Sequence, residues 1–212
     1  MSRRIFSFDT LSRSVGEDFA WRRKELKIIK DQIPENPSPL QSAALRFSVP
    51  ILYAHWEGFV KKSCECYLEF VSNKQVAHRD LKPQFIALSL NRKFGKLEIR
   101  NIEEKTKTVE FLISEFDKSA NVPIKNVIQT KSNLRFEVFE EIVFILDLEP
   151  GLFNSKKSLI NDLVDARNNI AHGSFLRVDF RTYAQMHDET VSLMGVLKSE
   201  LENSAIMNRF LK

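Results

Sequence analysis

Apolar residues recur along this chain three or four positions apart, in seven stretches separated by polar or proline-bearing segments. That spacing is the period of an α-helix with one buried face. A first helix is predicted from about Asp9 to Ile33, with an imperfect stripe through Leu11, Val15, Phe19 (or Asp18), Arg22, Leu26 and Ile29. Pro34-Glu35-Asn36-Pro37-Ser38-Pro39 breaks it. The second stripe is the most regular: Leu45, Val49, Leu52, Trp56, Phe59, Ser63, Cys66 and Phe70. Pro50 falls inside it and either kinks the helix or starts it.

Residues from Ser72 to Lys96 are polar and interrupted by Pro83, which predicts a loop and then a short helix near Gln84 to Asn91. Val109, Leu112, Ile113 and Phe116 place a helix within Ile102 to Asp117. For Ile124 to Gln129 a turn of helix and a β-rich strip fit equally well. Ser132-Asn133 reads as the start of a helix running from Leu134 to Leu148, stopped by Pro150-Gly151. A last helix spans about Phe180 to Asn203, and Ile206 to Lys212 is expected to fray or to pack on a partner. The fold class is therefore all-α.

One stretch departs from plain packing. From Leu159 to Gly173, Leu159, Leu163, Ala166 and Ile170 draw an apolar stripe, while Asn161, Asp165, Asn168 and His172 draw a polar one. Gly173 suits a left-handed C-terminal cap, which puts His172 in the last turn beside exposed carbonyls. Ser155 or Ser158 is a candidate N-cap.

Composition adds bounds. The 212 residues fit one domain of about 1–212, with a bundle core near 40–203 and an N-terminal helix near 9–33. Hydrophobic residues make up 43%, as in an ordinary globular protein, and Phe dominates the aromatics. The net charge of +4 mildly favours a polyanionic partner, but a small excess of Lys and Arg is common in ordinary protein surfaces, which is the stronger reading. Trp21 to Lys27 is basic and suits phosphate, but reads first as a solvated helix face. Cys64 and Cys66, two apart on a helix, cannot easily bridge each other and lack companions for a zinc site, so reduced thiols in a cytoplasmic protein are expected. No leader or membrane-length apolar run is visible. Phosphate loops, His-Glu-x-x-His and Gly-x-Ser-x-Gly elbows are absent from the sequence, and neither metal nor cofactor is expected.

Arg167-Asn168-Asn169-Ile170-Ala171-His172 resembles the Arg-x(4–6)-His motif of the HEPN superfamily, including the polar residue after the Arg. Together with Ala54-His55-Trp56-Glu57-Gly58-Phe59 on an earlier long helix, the likeness covers roughly Leu45 to Gly173 and points to small prokaryotic HEPN-like nucleases. It implies a HEPN-like helical bundle with additional helices, and a metal-independent RNA endonuclease in a defence or toxin–antitoxin setting. It also implies a homodimer with the site at its interface, and an antitoxin or companion defence protein as restraint. The alternative is a non-catalytic HEPN-like module that binds a nucleotide or a partner protein.

The residues suit the chemistry. Histidine as a residue type has a pKa close to neutral pH, so His172 suits proton transfer, and Arg167 offers a planar, permanently charged fork for two phosphate oxygens. The two are about 140° apart around a helix, so they flank a site. Asn168 is one turn from His172 and is expected to orient the imidazole or to contact phosphate. Asp165 is expected to support Arg167 or an Asn, and Asn169 to serve the cap. Glu57, beside the core stripe, either pairs with Arg167, orients His172 or is a surface carboxylate. Lys156, Lys157 and Arg177 are candidate RNA-backbone contacts.

Overall fold

In the computed structural model, which describes residues 4–94 and 101–212, the chain forms a bundle of seven α-helices. These are α1 (Phe8–Asp31), α2 (Pro39–Asn73), α3 (Pro83–Phe94), α4 (Ile102–Glu115), α5 (Phe136–Ile145), α6 (Lys157–Ala171) and α7 (Phe180–Ile206). Among the described residues there is no β-strand, only the isolated bridges Ala77–Ser119 and Leu81–Leu211. The polar stretch expected from Ser72 to Lys96 ends outside the described residues.

The axis of the bundle is α2, 35 residues long, hence about 52 Å. Ser38 caps its start by accepting from the Gln41 N–H, and Pro39 occupies a first-turn position where a missing N–H costs nothing. Pro50 lies inside the helix, which starts at Pro39 and runs on past it, so the expectation that the helix begins at Pro50 is overturned. Leu45, Val49, Leu52, Trp56, Phe59, Ser63, Cys66 and Phe70 are all buried, so the stripe read from the sequence is the core face. Helices α1 and α7 pack on α2 and on each other, and α6 packs on α2 and, less extensively, on α7. At Gly58 an added Cβ would stand 2.8 Å from Arg22 Nη1. The missing side chain lets that guanidinium lie across α2 and donate to the His55 carbonyl at 3.3 Å.

The Trp56, Phe139 and Phe153 rings form a chain with centroids 5.3 and 5.1 Å apart. It locks α5 and the turn before α6 onto the middle of α2. Cys64 and Cys66 are free and buried, and burial pushes both thiols up. No helix among the described residues is long and apolar enough to cross a membrane, and no cluster of metal-ligating side chains occurs among them.

Four expectations are corrected. Ile124 to Gln129 is neither helix nor strand but an extended segment with a turn, in which Asn126 has φ 62°. Helix α5 starts at Phe136 rather than at Ser132-Asn133, because Lys131 and Ser132 both adopt left-handed backbone (φ 49° and 64°). Neither Ser155 nor Ser158 caps α6: the helix continues from a 3₁₀ turn at Asn154–Lys156, and the Ser158 hydroxyl donates to Asp162. The C-terminal tail does not fray. Phe210 is buried edge-on against Phe70, its carbonyl accepts from the Lys82 N–H at 2.9 Å, and Lys212 N–H donates to the Asp80 carbonyl.

Candidate active site

Helix α6 owes its direction to Ile160, Leu163 and Val164, which are buried against the bundle. The inward face is thus centred slightly off the predicted stripe: Leu159, Ala166 and Ile170 pack at its margins. The helix ends as its sequence demands. Gly173 has φ 78°, its N–H donates to the Ile170 carbonyl at 3.1 Å, and Ser174 N–H donates to the Asn169 carbonyl at 2.9 Å. This pair of bonds closes the last turn and needs a residue without a Cβ penalty at the left-handed position. His172 is the C-cap, one residue past the helix, and its side chain is exposed. Among the described residues its imidazole has no side-chain partner.

Arg167 is half-buried and held at one corner. Its Nη1 donates to Asn168 Oδ1 at 2.7 Å and to Asn133 Oδ1 at 3.2 Å. Its guanidinium carbon lies 4.7 Å from the centroid of the Tyr53 ring, within the range of a cation–π contact. Among the described residues it has no carboxylate partner. Arg22, Arg79, Arg135 and Arg209, by contrast, each sit in an ion pair. Among the described residues the Nε and Nη2 edge has no protein acceptor.

Tyr53 is buried on α2, and its hydroxyl accepts from the Leu134 N–H at 2.8 Å. Burial pushes its phenol up, and the nearby Glu57 carboxylate adds to this, while the Leu134 N–H and the Arg167 charge oppose it. Glu57 therefore meets the cluster through Tyr53. The direct link to Arg167 or His172 that the sequence left open is not formed.

The polar stripe of α6 serves a purpose the sequence did not reveal: it fastens the segment 133–136. Asn161 Oδ1 accepts from the Phe136 N–H at 3.0 Å, so α5 is capped by a side chain of another helix. Asp165 pairs with Arg135. Asn168 holds Arg167, not the imidazole. Asn169 Nδ2 returns to the Asp165 carbonyl at 2.9 Å, consistent with a cap-region amide.

Arg46 on α2 donates to the Ser174 carbonyl at 3.1 Å and lies 5.3 Å from the Phe175 ring centroid, fixing the turn after His172. The three proposed RNA contacts are not gathered in one place. Lys156 and Lys157 stand at the opposite end of α6, about 22 Å from His172 by helix rise, and pair with Glu189 and Glu137. Arg177 is exposed, a few residues past the Gly173 turn. Sequence reasoning missed Tyr53, Asn133 and Arg46. Only Tyr53 left a trace, as a hydroxyl one turn before Glu57 and beside an otherwise apolar stripe.

Residues 17–203 match the model of the RiboL-PSP-HEPN family. No curated protein matches the chain, and no solved structure does.

Proposed function

The chain belongs to the RiboL-PSP-HEPN family, and on that premise we propose that it is a metal-independent RNA endonuclease that works as a homodimer. The observation that carries this reading is Arg167. A half-buried guanidinium with amide partners and no carboxylate among the described residues keeps its charge for an anion. A phosphodiester presents two oxygens to its free edge.

The chemistry follows from the two residues. One His172 imidazole takes the proton of the 2′-hydroxyl, whose oxygen then attacks the adjacent phosphorus. Arg167 stabilises the charge that builds on the non-bridging oxygens. The bond to the 5′-oxygen breaks, and a proton is delivered to that oxygen. The products are a 2′,3′-cyclic phosphate and a 5′-hydroxyl. One imidazole per chain leaves the second proton transfer unassigned, and His172 of a second copy supplies it. An exposed apolar stripe on α2, made by Leu40, Phe47 and Ile51, supports such a pairing. It shares α2 with Arg46, which touches the turn after His172. Asn168 acts by holding Arg167, Asp165 by holding Arg135, and Glu57 through Tyr53. Of the basic residues, Arg177, which is exposed a few residues past Gly173, is assigned to the RNA backbone. In the cell, an antitoxin or a companion defence protein keeps the nuclease in check.

The test is cleavage of a mixed RNA pool in EDTA, with analysis of product ends. Wild type is expected to leave cyclic phosphates. His172→Ala and Arg167→Ala are expected to cut at least ~100-fold more slowly with unchanged circular dichroism. A folded wild-type dimer that cuts no RNA under these conditions would overturn the reading in favour of a module that binds a nucleotide or a partner protein.

A further inference from the structure

Arg167 has too many degrees of freedom to present its free edge in one direction unaided. A long side chain loses much rotamer entropy on being fixed. Something must hold it before substrate arrives if it is to act on a transition state rather than merely attract phosphate. Its neighbours show what does.

The segment 131–136 is bound to the site at four points. Leu134 N–H donates to Tyr53, Phe136 N–H donates to Asn161, Arg135 pairs with Asp165, and Asn133 accepts from Arg167. Leu134 is fully buried, which pins the segment in depth as well as in direction. Entry into it is through two consecutive non-glycine residues with left-handed backbone, Lys131 and Ser132. Such a backbone is unfavourable for a residue with a Cβ and persists only where surrounding contacts over-determine it. The turn closes on itself through Asn133 N–H to the Thr130 carbonyl at 3.1 Å and Arg135 N–H to the Asn133 carbonyl at 2.8 Å. The result is that the Asn133 amide oxygen faces the guanidinium from one side, while Tyr53, held by the same segment, lies under its face.

We propose that Asn133 and Tyr53 are positioning residues for Arg167, and that the 131–136 segment is the clamp that sets the direction of its free edge. This rests on the ribonuclease reading for its catalytic consequence, but not for the clamp itself. The choice of side chains fits the task. An amide accepts from the guanidinium without neutralising it, whereas a carboxylate at 133 would compete with phosphate. A phenol supplies both a π-face for the cation and an oxygen for the Leu134 N–H, and no other side chain does both at one position.

The experiment uses the full chain and three variants, Asn133→Ala, Asn133→Asp and Tyr53→Phe. Two readouts are taken: RNA cleavage across pH, and rotation of the Arg167 guanidinium by NMR of its side-chain nitrogens, assigned with Arg167→Lys. Asn133→Ala and Tyr53→Phe are expected to lower kcat by ~10-fold or more while KM stays within about twofold and the pH profile keeps its shape. Faster guanidinium rotation is expected in both. Asn133→Asp is expected to slow that rotation and to raise KM, because a new ion pair opposes phosphate binding. Wild-type rotation rates in Asn133→Ala and Tyr53→Phe would overturn the clamp, whatever the activity. Slowed cleavage with unchanged rotation would also overturn it. If wild type cuts no RNA, the functional reading fails, and the NMR comparison alone decides for or against the clamp.

Discussion

At the scale of single residues, charge is placed by what surrounds it. Arg167 sits among two amide oxygens and a phenol ring, and so keeps its positive charge available. His55, on the side of α2 that meets α1, is in the opposite position. It is buried against the Trp21 ring, with Nε2 3.1 Å from a Glu25 carboxylate oxygen. Burial pushes its imidazole below the ordinary value and the Arg22 charge adds to this, while Glu25 and Asp18 pull the other way. Its folded-state pKa is therefore lower than its unfolded one. The stability it contributes is present above an unfolded value of about 6.5 and is lost as pH falls toward the folded value. Urea unfolding at pH 7, 6 and 5 is expected to show wild type losing stability over this window by about 1 kcal/mol per pH unit or less from this residue. His55→Gln is expected to lose correspondingly less. Equal losses in the two proteins would show that His55 titrates alike in the folded and unfolded chain. Arg167 and His172 were legible as candidates in the sequence, because a charged fork and an imidazole five residues apart are chemically distinctive. Two of the groups around Arg167 were not: Asn133 lies 34 positions away and Tyr53 more than 100.

At the scale of elements, the helical period read correctly because one face of each helix is shielded by its neighbours. The stripe through Leu45, Trp56 and Phe70 is buried throughout. Where local rules failed, a distant group had replaced a local one. Helix α5 has no cap from its own Arg135 and takes one from Asn161 of α6. The Ser155 and Ser158 hydroxyls were free to cap α6, but a preceding 3₁₀ turn runs straight into it and makes a cap unnecessary. Trp56 is where the elements around the site meet, through Phe139 on α5 and then Phe153. Trp56→Ala is expected to cost about 3–5 kcal/mol, read as a lowered urea midpoint with little change in m-value. A cost below about 1 kcal/mol would mean that this junction collapses to fill the gap and that the ring does not hold α5 in place.

At the scale of the whole molecule, α2 divides its surface three ways: toward α1 and α7, toward α6, and outward. The outward stripe includes Phe47 at 72%, Leu40 at 70% and Ile51 at 39% exposure. On the dimer reading these residues are covered by a second copy, so Phe47→Asp is expected to give a folded monomer in analytical ultracentrifugation with cleavage reduced ~10-fold or more. Phe144, equally exposed on α5, is the control, and Phe144→Asp is expected to leave the association state unchanged. Dissociation by Phe144→Asp but not by Phe47→Asp would move the interface to the α5 side.

The sequence by itself determined the all-helical class, the extent of most helices, the buried face of α2 and the glycine stop after His172. These follow from local period and backbone sterics, which depend on residues a few positions apart. Only the tertiary structure decided that Asn168 serves Arg167 rather than His172, that the polar stripe of α6 fastens the segment 133–136, and that the C-terminal tail is bound to the turn before α3. Each of these is a hydrogen bond between groups remote in sequence or in competition for one donor. Such choices depend on which partner packing brings within about 3 Å, and no local pattern encodes that distance.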